Sequence, residues 1–210
     1  MKIINCEQNT PEWYNSRVGI PTASSFSKIL SATGKPSTSA DGYANDIMSE
    51  VVAGKPLEGW SGNEWSERGK ELESDAVAWY EFTNDVDTQE VGFCKADNDL
   101  YGCSPDRLID GDEGLLEVKC PKGNTHLGYL LKNQLPTTYI PQVQGQLLVT
   151  GRKWCDFLSY HPDMPKLLVR VERDEEYITK LSAALASFHT ILSAKKAKLI
   201  KLGYLTGEST

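Results

Sequence analysis

The stretch of sequence that decides the fold is GCSPDRLIDGDEGLLEVKCP, which spans Gly102–Pro121. Its second half contains the run LLEVKC (115–120), and a short apolar run that follows turn residues predicts a buried strand. Side chains alternate between the two faces of a strand, so Glu117 and Lys119 share one face. Charged side chains are rarely buried unless they are paired, and this face of the strand therefore requires an explanation.

The residues before this strand predict the partner with which it forms a hairpin. The run IDGDEG is rich in Asp and Gly and predicts a turn between two strands. If Gly111 and Asp112 are the central turn residues, Asp106 lies directly opposite Glu117 on the same face. Directly opposed residues have Cβ atoms about 4.5–5.5 Å apart, which allows two carboxylates to share a divalent cation. The predicted cluster contains Asp106, Glu117 and Lys119, and a slip of one residue in the register would disperse it.

Such a cluster suits the hydrolysis of phosphodiester bonds. Hard oxygen ligands hold Mg²⁺ or Mn²⁺, which keeps several of its water molecules. A bound ion lowers the pKa of one water and stabilises charge on the scissile phosphate. Lys119 would position this water or deprotonate it, because burial can lower the pKa of a lysine.

An exposed cross-strand salt bridge is the alternative explanation for Glu117 and Lys119. In a chain with 29 acidic residues, an acidic residue two positions before a lysine also occurs by chance. The triplet EVK therefore carries little information by itself. The residues SPD (104–106) at hairpin spacing, and Pro121 directly after the strand, are the additional features that favour a nuclease.

The composition restricts the classes of protein that the chain can belong to. A chain of 210 residues fits a single domain over residues 1–210, and its five cysteines and three histidines show no spacing typical of a structural zinc site or a disulfide framework. The absence of a long apolar run and of a signal-peptide core predicts a cytosolic protein without membrane contact. A net charge of -7 argues against a general nucleic-acid coat protein but allows an acidic enzyme with a locally basic channel.

The remaining sequence predicts helices around a small group of strands. The helix signals are Thr10 and Pro11, Thr22, a segment from Asp41 to Val52, the run 63–84, the run IPQVQGQLLVT and a long amphipathic segment from Asp174 to about Leu202. Short β-type runs lie between the run 63–84 and the C-terminal segment. This order predicts an α/β or α+β domain in which helices flank a central mixed β-sheet.

The pattern SPD…E-x-K-C-P resembles the PD-(D/E)xK nuclease superfamily, and within it the phage lambda exonuclease family of recombination nucleases. Further motifs of that family occur in the same order along nearly the whole chain. They are EWYNSRVGIPTAS (12–24), RGKELESDA (68–76), CSPDRL, LLEVKCP, PQVQGQLLVTG and VERDEEY.

The resemblance implies a restriction-endonuclease-like core and a specific activity. It implies an exonuclease that uses two Mg²⁺ ions per site, with Mn²⁺ able to substitute, and digests double-stranded DNA from 5′-phosphorylated ends in the 5′-to-3′ direction. The product would be a 3′ single-stranded tail for recombination. The resemblance also implies a homotrimeric ring around the DNA, a single-strand annealing protein as partner, and a phage or prophage gene expressed in the bacterial cytoplasm.

The same resemblance assigns roles to residues of the hairpin and of the preceding helix. Asp106, Glu117 and the backbone carbonyl of Val118 correspond to the metal ligands, and Lys119 corresponds to the catalytic lysine. Glu73 corresponds to a helix carboxylate that reaches the same site.

Residues elsewhere in the chain correspond to those that hold the DNA end. Arg17, Ser24 and Ser104 correspond to the residues that bind the terminal 5′-phosphate, which suits a guanidinium and two hydroxyl groups. Gln142 corresponds to a glutamine near the terminal nucleotide. Trp65 lies close to the position of the residue that separates the strands, and an aromatic ring can stack on an unpaired base.

Two alternative functions stay open on the sequence alone. A PD-(D/E)xK endonuclease or junction-cleaving enzyme would use the same metal chemistry without the pocket for a DNA end. A non-catalytic DNA-binding subunit would have lost part of the set Asp106, Glu117 and Lys119, which is complete here. Asp97 is a further acidic residue whose correspondence to a family position depends on a one-residue deletion.

Overall fold

The computed structural model describes residues 1–57, 64–111 and 113–206, with the backbone alone for residues 64–71. Its helices are α1 (Pro11–Ser16), α2 (Ala40–Ala53), α3 (Glu64–Asn84), α4 (Gly123–Lys132), α5 (Ile140–Thr150) and α6 (Glu175–Lys201), with short 3₁₀ helices at Ala23–Lys28 and Thr137–Tyr139. Its strands are β1 (Lys2–Ile4), β2 (Thr88–Gln89), β3 (Phe93–Lys95), β4 (Gly102–Cys103), β5 (Arg107–Ile109), β6 (Gly114–Lys119), β7 (Trp154–Ser159) and β8 (Leu167–Glu172).

A five-stranded mixed sheet in the order β2-β5-β6-β7-β8 carries the hairpin at its centre. Strands β6 and β7 are parallel, and the other neighbouring pairs of this sheet are antiparallel. Helices α4 and α5 connect the two parallel strands, as a parallel pair requires a crossover. A smaller sheet in the order β1-β3-β4 lies beside it, and the predicted fold class of helices around a mixed sheet is confirmed.

The two faces of β6 pack against different groups of helices, as the alternation of its side chains predicts. Leu115 packs into the larger apolar core, to which α2, α5 and α6 contribute. Leu116 and Val118 pack into a second core with residues of α3, including Tyr80. Glu117 therefore lies on the face of the sheet that α5 covers.

The hairpin has the predicted register. Arg107 pairs with Leu116 and Leu108 pairs with Leu115, so continuing the ladder by one step places Asp106 opposite Glu117. Asp112, the second of the two predicted turn residues, lies outside the described residues.

The boundaries of several helices agree with the sequence signals. The side chain of Thr10 accepts a hydrogen bond from the Trp13 amide at the start of α1, and that of Asp174 accepts one from the Tyr177 amide at the start of α6. Gly54 ends α2 in the left-handed conformation with a φ of 65°. Within the described residues, no helix is long and apolar enough to cross a membrane.

Three local expectations were wrong or incomplete. The run after Thr22 forms a six-residue 3₁₀ helix rather than an α-helix, and Thr22 makes no side-chain capping bond there. Helix α2 begins at Ala40, one residue before Asp41. Strand β1 and helix α4 had no distinct sequence signal, because one has only three residues and the other begins with Gly123 without a side-chain cap.

Candidate active site

The acidic cluster lies at the end of β6, beside Asp106, the residue that directly precedes β5. The Tyr160 amide donates to the carbonyl of Lys119 at 2.8 Å, so the peptide groups of Lys119 face β7. Neighbouring residues in a strand direct their peptide groups to opposite sides, so those of Val118 face Asp106. The Val118 amide donates to Oδ2 of Asp106 at 2.6 Å, and the Val118 carbonyl lies on the same side of the strand.

Glu117 is almost completely buried and is surrounded by hydrogen-bond donors. Its side chain is 1% exposed, and the ammonium group of Lys119 contacts its Oε1. The Nε2 of Gln142 donates to Oε1 and the Nε2 of Gln146 donates to Oε2, each at 2.6 Å. A buried carboxylate is stable only when it is paired in this way, which accounts for the charged face of β6.

The acidic side chains of the cluster repel one another. Burial raises the pKa of Asp106 well above its ordinary value, and the charge of Glu117 raises it further, although Lys119 acts in the opposite direction. Burial also raises the pKa of Glu73, which the charges of Arg107 and Lys119 partly offset. A bound cation would stabilise the charged forms of these neighbouring carboxylates, so the cluster is a candidate cation site.

Lys119 carries its proton in this arrangement. Burial lowers the pKa of Lys119, but attraction to Glu117 and Asp106 outweighs burial and raises the pKa above its ordinary value. The expectation of a lowered pKa for Lys119 is therefore wrong for the protein without metal, and its role in positioning or deprotonating a water stays a prediction. Its ammonium group can instead orient a water molecule or stabilise negative charge.

The donor set fits a divalent cation of the Mg²⁺ class. Among the described residues, no three His, Cys, Asp or Glu side chains converge closely enough to bind a metal ion by themselves. The site instead offers the carboxylates of Asp106 and Glu117 with the carbonyl of Val118. Mg²⁺ is commonly held by one or two carboxylates and completes its coordination with water and substrate phosphate.

Glu73 approaches the cluster from α3 on the other face of the sheet. Its Oε1 lies 3.9 Å from Nη1 of Arg107, and its side chain is 37% exposed. Glu117 and Lys119 are close enough to shift its pKa. Glu73 is therefore a partly exposed neighbour of the cluster that pairs with Arg107, in contrast to the buried Glu117.

Two residues, Trp13 and Thr22, connect the residues that are predicted to bind a terminal phosphate. Nη2 of Arg17 lies 3.3 Å from Oγ1 of Thr22, which in turn lies 3.3 Å from Oγ of Ser24. The guanidinium of Arg17 also stacks on Trp13 at 3.8 Å, and Nε1 of Trp13 donates to Oγ of Ser104 at 2.9 Å. The sequence indicated Thr22 only as the start of a helix and did not single out Trp13.

A backbone contact between distant segments joins this group to the acidic cluster. Thr22 forms a parallel bridge with Gly102, and the Gly102 amide donates to the carbonyl of Pro21 at 3.1 Å. A cavity of about 380 Å³ opens beside Arg17, with Lys28 also in its wall. Of the predicted phosphate-binding residues, Arg17 alone lies in the wall of this polar recess. The bridge between Thr22 and Gly102 of β4 connects the recess to the hairpin.

The segment between the two groups of residues is short and fixed. Ser104 and Asp106 are separated by Pro105 alone, and Nε2 of Gln8 donates to the Pro105 carbonyl at 3.0 Å. The same amide donates to the carbonyl of Val91 at 2.9 Å. Gln8 thus ties this segment to the end of the smaller sheet.

Two further predicted positions give different outcomes. The side chain of Trp65 lies outside the described residues, so its proposed part in strand separation stays a prediction. Asp97 is 87% exposed and pairs with the ammonium group of Met1 at 2.8 Å, away from the contacts of the acidic cluster.

The sequence missed one residue of the site, Gln146. It lies one helical turn after Gln142 on α5 and is 1% exposed. The sequence placed Gln142 beside a nucleotide, whereas here its amide contacts Glu117. The signal for Gln146 was the spacing of four residues within QVQGQ, which places two glutamines on one face of a helix.

Comparison with known proteins gives a family match over most of the chain. A family model described as a YqaJ-like viral recombinase domain matches residues 12–153, which include the polar recess, the hairpin and α5. Among curated proteins, an uncharacterized protein of Acanthamoeba polyphaga mimivirus is 27% identical over 174 residues. That alignment covers 75% of this chain but only 30% of the viral protein.

Solved structures match the chain over nearly its whole length. The alkaline exonuclease LHK-Exo from Laribacter hongkongensis is 32% identical, with a TM-score of 0.76 over 92% of this chain and 100% of that chain. LHK-Exo in complex with dAMP gives 31% identity and a TM-score of 0.83, over 92% and 98% of the two chains. A phage-related exonuclease from Haemophilus somnus 129PT shares the fold at 16% identity, with a TM-score of 0.68 over 86% and 96%.

Proposed function

The chain belongs to the family of YqaJ-like viral recombinase domains, and from this membership we propose that it is a metal-dependent exonuclease acting on double-stranded DNA. It would hydrolyse one strand from a 5′-phosphorylated end in the 5′-to-3′ direction and leave a 3′ single-stranded tail. The observation that carries the proposal is the buried cluster of Asp106, Glu117 and Lys119 beside the polar recess of Arg17.

Mg²⁺ is the proposed cofactor, with two ions per site and Mn²⁺ as a substitute. Asp106, Glu117 and the Val118 carbonyl would hold the metal, and the carboxylate of Glu73 would reach the same site from α3. Bound metal supplies a water of lowered pKa and stabilises negative charge on the phosphate. The repulsion between Asp106 and Glu117 supports this proposal, because it is relieved by a cation between them.

Lys119 would act as a positively charged group at the reacting phosphate. Its ammonium group contacts Glu117 and carries a proton, so it can donate hydrogen bonds to the attacking water or to a phosphate oxygen. The ring of Tyr139 lies 5.6 Å from Nζ and limits the directions in which the side chain can turn. Lys119 would thus orient the water rather than remove its proton.

The polar recess would hold the terminal 5′-phosphate. Arg17 can bind two phosphate oxygens through its guanidinium, and stacking on Trp13 fixes the plane of that group. The hydroxyl groups of Ser24 and Ser104 would add further donors. Gln142, whose amide contacts Glu117, would contact the terminal nucleotide.

The biological setting is also a proposal from the family. The protein would assemble as a homotrimeric ring around DNA and would deliver the 3′ tails of the DNA to a single-strand annealing protein. It would be encoded by a phage or prophage and act in the bacterial cytoplasm during recombination.

The proposal is tested with a linear duplex labelled at its termini. Wild-type protein, Lys119→Ala and the exposed control Lys180→Ala are compared on 5′-phosphate and 5′-hydroxyl ends, with Mg²⁺ and with a chelator. We expect mononucleotides from phosphorylated ends with wild-type protein and Lys180→Ala, and no release with Lys119→Ala or without metal.

A closed circular duplex in the same assay separates the alternatives. Cleavage of the circle would replace the exonuclease proposal with an endonuclease. Binding of DNA without cleavage under every condition would indicate a non-catalytic DNA-binding subunit.

A further inference from the structure

Two glutamines of α5 hold the buried carboxylate of Glu117 from the same side. Gln142 and Gln146 are four residues apart, and their amides donate to different oxygens of Glu117, each at 2.6 Å. Two donors on two oxygens fix both the position and the plane of a carboxylate, whereas one donor would allow it to rotate.

The amide oxygen of Gln146 has no hydrogen-bond partner within the described part of the chain. Among the buried side-chain nitrogen and oxygen atoms of the described residues, it is the only one without a partner. An unsatisfied buried amide oxygen destabilises the folded protein, so the hydrogen bonding of this oxygen does not explain why Gln146 is buried. The bond from its Nε2 to Glu117 is the interaction that explains a polar residue at this position.

The hydrogen bonds of Glu117 leave one direction open for a cation. Its carboxylate has about four lone-pair positions, two on each oxygen. Lys119 and Gln142 contact Oε1, and Gln146 contacts Oε2. Within the described part of the chain, a second position on Oε2 therefore stays available, and the Gln146 amide determines where it points.

We propose that Gln146 is a positioning residue that holds Oε2 of Glu117 for a divalent cation. This inference rests on the proposed metal-dependent function and adds a residue that contacts neither metal nor DNA. Gln146 acts through Glu117, so its removal should weaken metal binding without removing a metal ligand. Loss of such a supporting hydrogen bond commonly lowers metal affinity by roughly 10–100-fold.

A matched control lies two residues earlier in the same helix. Gln144 is 4% exposed, and its side chain bonds the carbonyl of Glu172 and the amide of Asp174, each at 2.9 Å. Gln144→Met removes buried hydrogen bonds that do not involve Glu117. Gln146→Met removes the donor to Glu117 while keeping a side chain of similar length.

The test measures Mn²⁺ binding by isothermal titration calorimetry on the full chain without DNA. We expect the Kd for Mn²⁺ to rise about 10-fold or more in Gln146→Met and to stay within about 2-fold of wild type in Gln144→Met. In cleavage assays, Gln146→Met should need more Mg²⁺ for half-maximal rate while its KM for DNA is unchanged. A Gln146→Met protein that binds Mn²⁺ as tightly as wild type would refute the inference.

Two measurements keep the result interpretable. Circular dichroism establishes whether each variant is folded, and Gln146→Ala replaces Gln146→Met if the latter is not, with the same expected loss of affinity. Wild-type protein that binds no Mn²⁺ would refute the proposed metal-dependent function itself. Normal binding by wild type and by the Gln146 variants would refute the role of Gln146 alone.

Discussion

Replacing Gly145 with alanine is expected to destabilise the protein, although alanine is the better helix former. Gly145 lies inside α5, between the buried Gln144 and Gln146. A Cβ atom at this position would lie 2.8 Å from Cε2 of Phe26, closer still to its Cδ2, and 3.3 Å from Cβ of Ala23. Phe26 is completely buried, so its ring has no free space into which it can turn.

Two opposing contributions set the size of the effect. Alanine in a helix interior gains about 1 kcal/mol over glycine. Forcing an extra carbon into a well-packed core costs about 1–3 kcal/mol, and the upper part of that range, about 2–3 kcal/mol, applies here because the obstacle is a rigid ring rather than a flexible chain. We expect a net loss of about 1–2 kcal/mol, which for a protein of this size lowers Tm by about 2–8 °C.

Gly128→Ala is the matched control. Gly128 lies inside α4, and a Cβ atom there would meet nothing within 4 Å. This substitution should therefore raise the stability by about 0.5–1 kcal/mol. Thermal unfolding of both variants, followed by circular dichroism, measures the difference, and a Gly145→Ala protein at least as stable as wild type would contradict the packing argument.

Three other substitutions test the site and its surroundings. Asp106→Asn should raise the metal-free stability at pH 8 while abolishing cleavage. Since the folded pKa of Asp106 is raised, the wild-type carboxylate destabilises the fold increasingly as pH rises from the ordinary aspartate range through that pKa. Thermal melts should show this gain shrinking towards pH 4, and a lower Tm for Asp106→Asn at pH 8 would contradict the repulsion. Arg17→Ala should lower the preference for 5′-phosphate over 5′-hydroxyl ends by about 10-fold or more, measured as the ratio of initial rates, and an unchanged ratio would exclude the recess as the phosphate site. Tyr80→Phe removes a 2.7 Å bond to Asp156 and should cost about 1–2 kcal/mol in urea unfolding without changing the cleavage rate, and a loss of cleavage by folded protein would show a link to the site.

The parts of the fold that the sequence predicted are those with a repeating pattern and marked ends. The register of β5 and β6 was predictable because an Asp- and Gly-rich turn and an alternating strand leave one consistent pairing. Helix α6 was predictable because its apolar stripe of Ile178, Leu181 and Leu185 is sustained over many turns. Strand β1 lacks any such pattern and is formed by pairing with β3, a contact across about ninety residues.

The parts of the site that the sequence could not predict depend on how distant elements dock. Glu117 meets Gln146 only because α5 packs over the face of β6, and no spacing in the sequence gives that contact. Burial lowers the pKa of Lys119 and two neighbouring carboxylates raise it. Which effect is larger depends on distances that only the folded structure gives. The hydroxyl group of Thr22 likewise joins Arg17 to Ser24, a contact that is visible only in three dimensions.

The short segment from Ser104 to Asp106 would act as a molecular ruler. Two residues span at most about 7 Å, and proline in the middle together with the Gln8 amide prevents this segment from folding back or stretching. If a terminal phosphate is seated at Ser104 and its neighbouring linkage is hydrolysed at Asp106, the product has one fixed length. The size of the released fragment would then be determined by the covalent geometry of the polypeptide, independently of the DNA sequence.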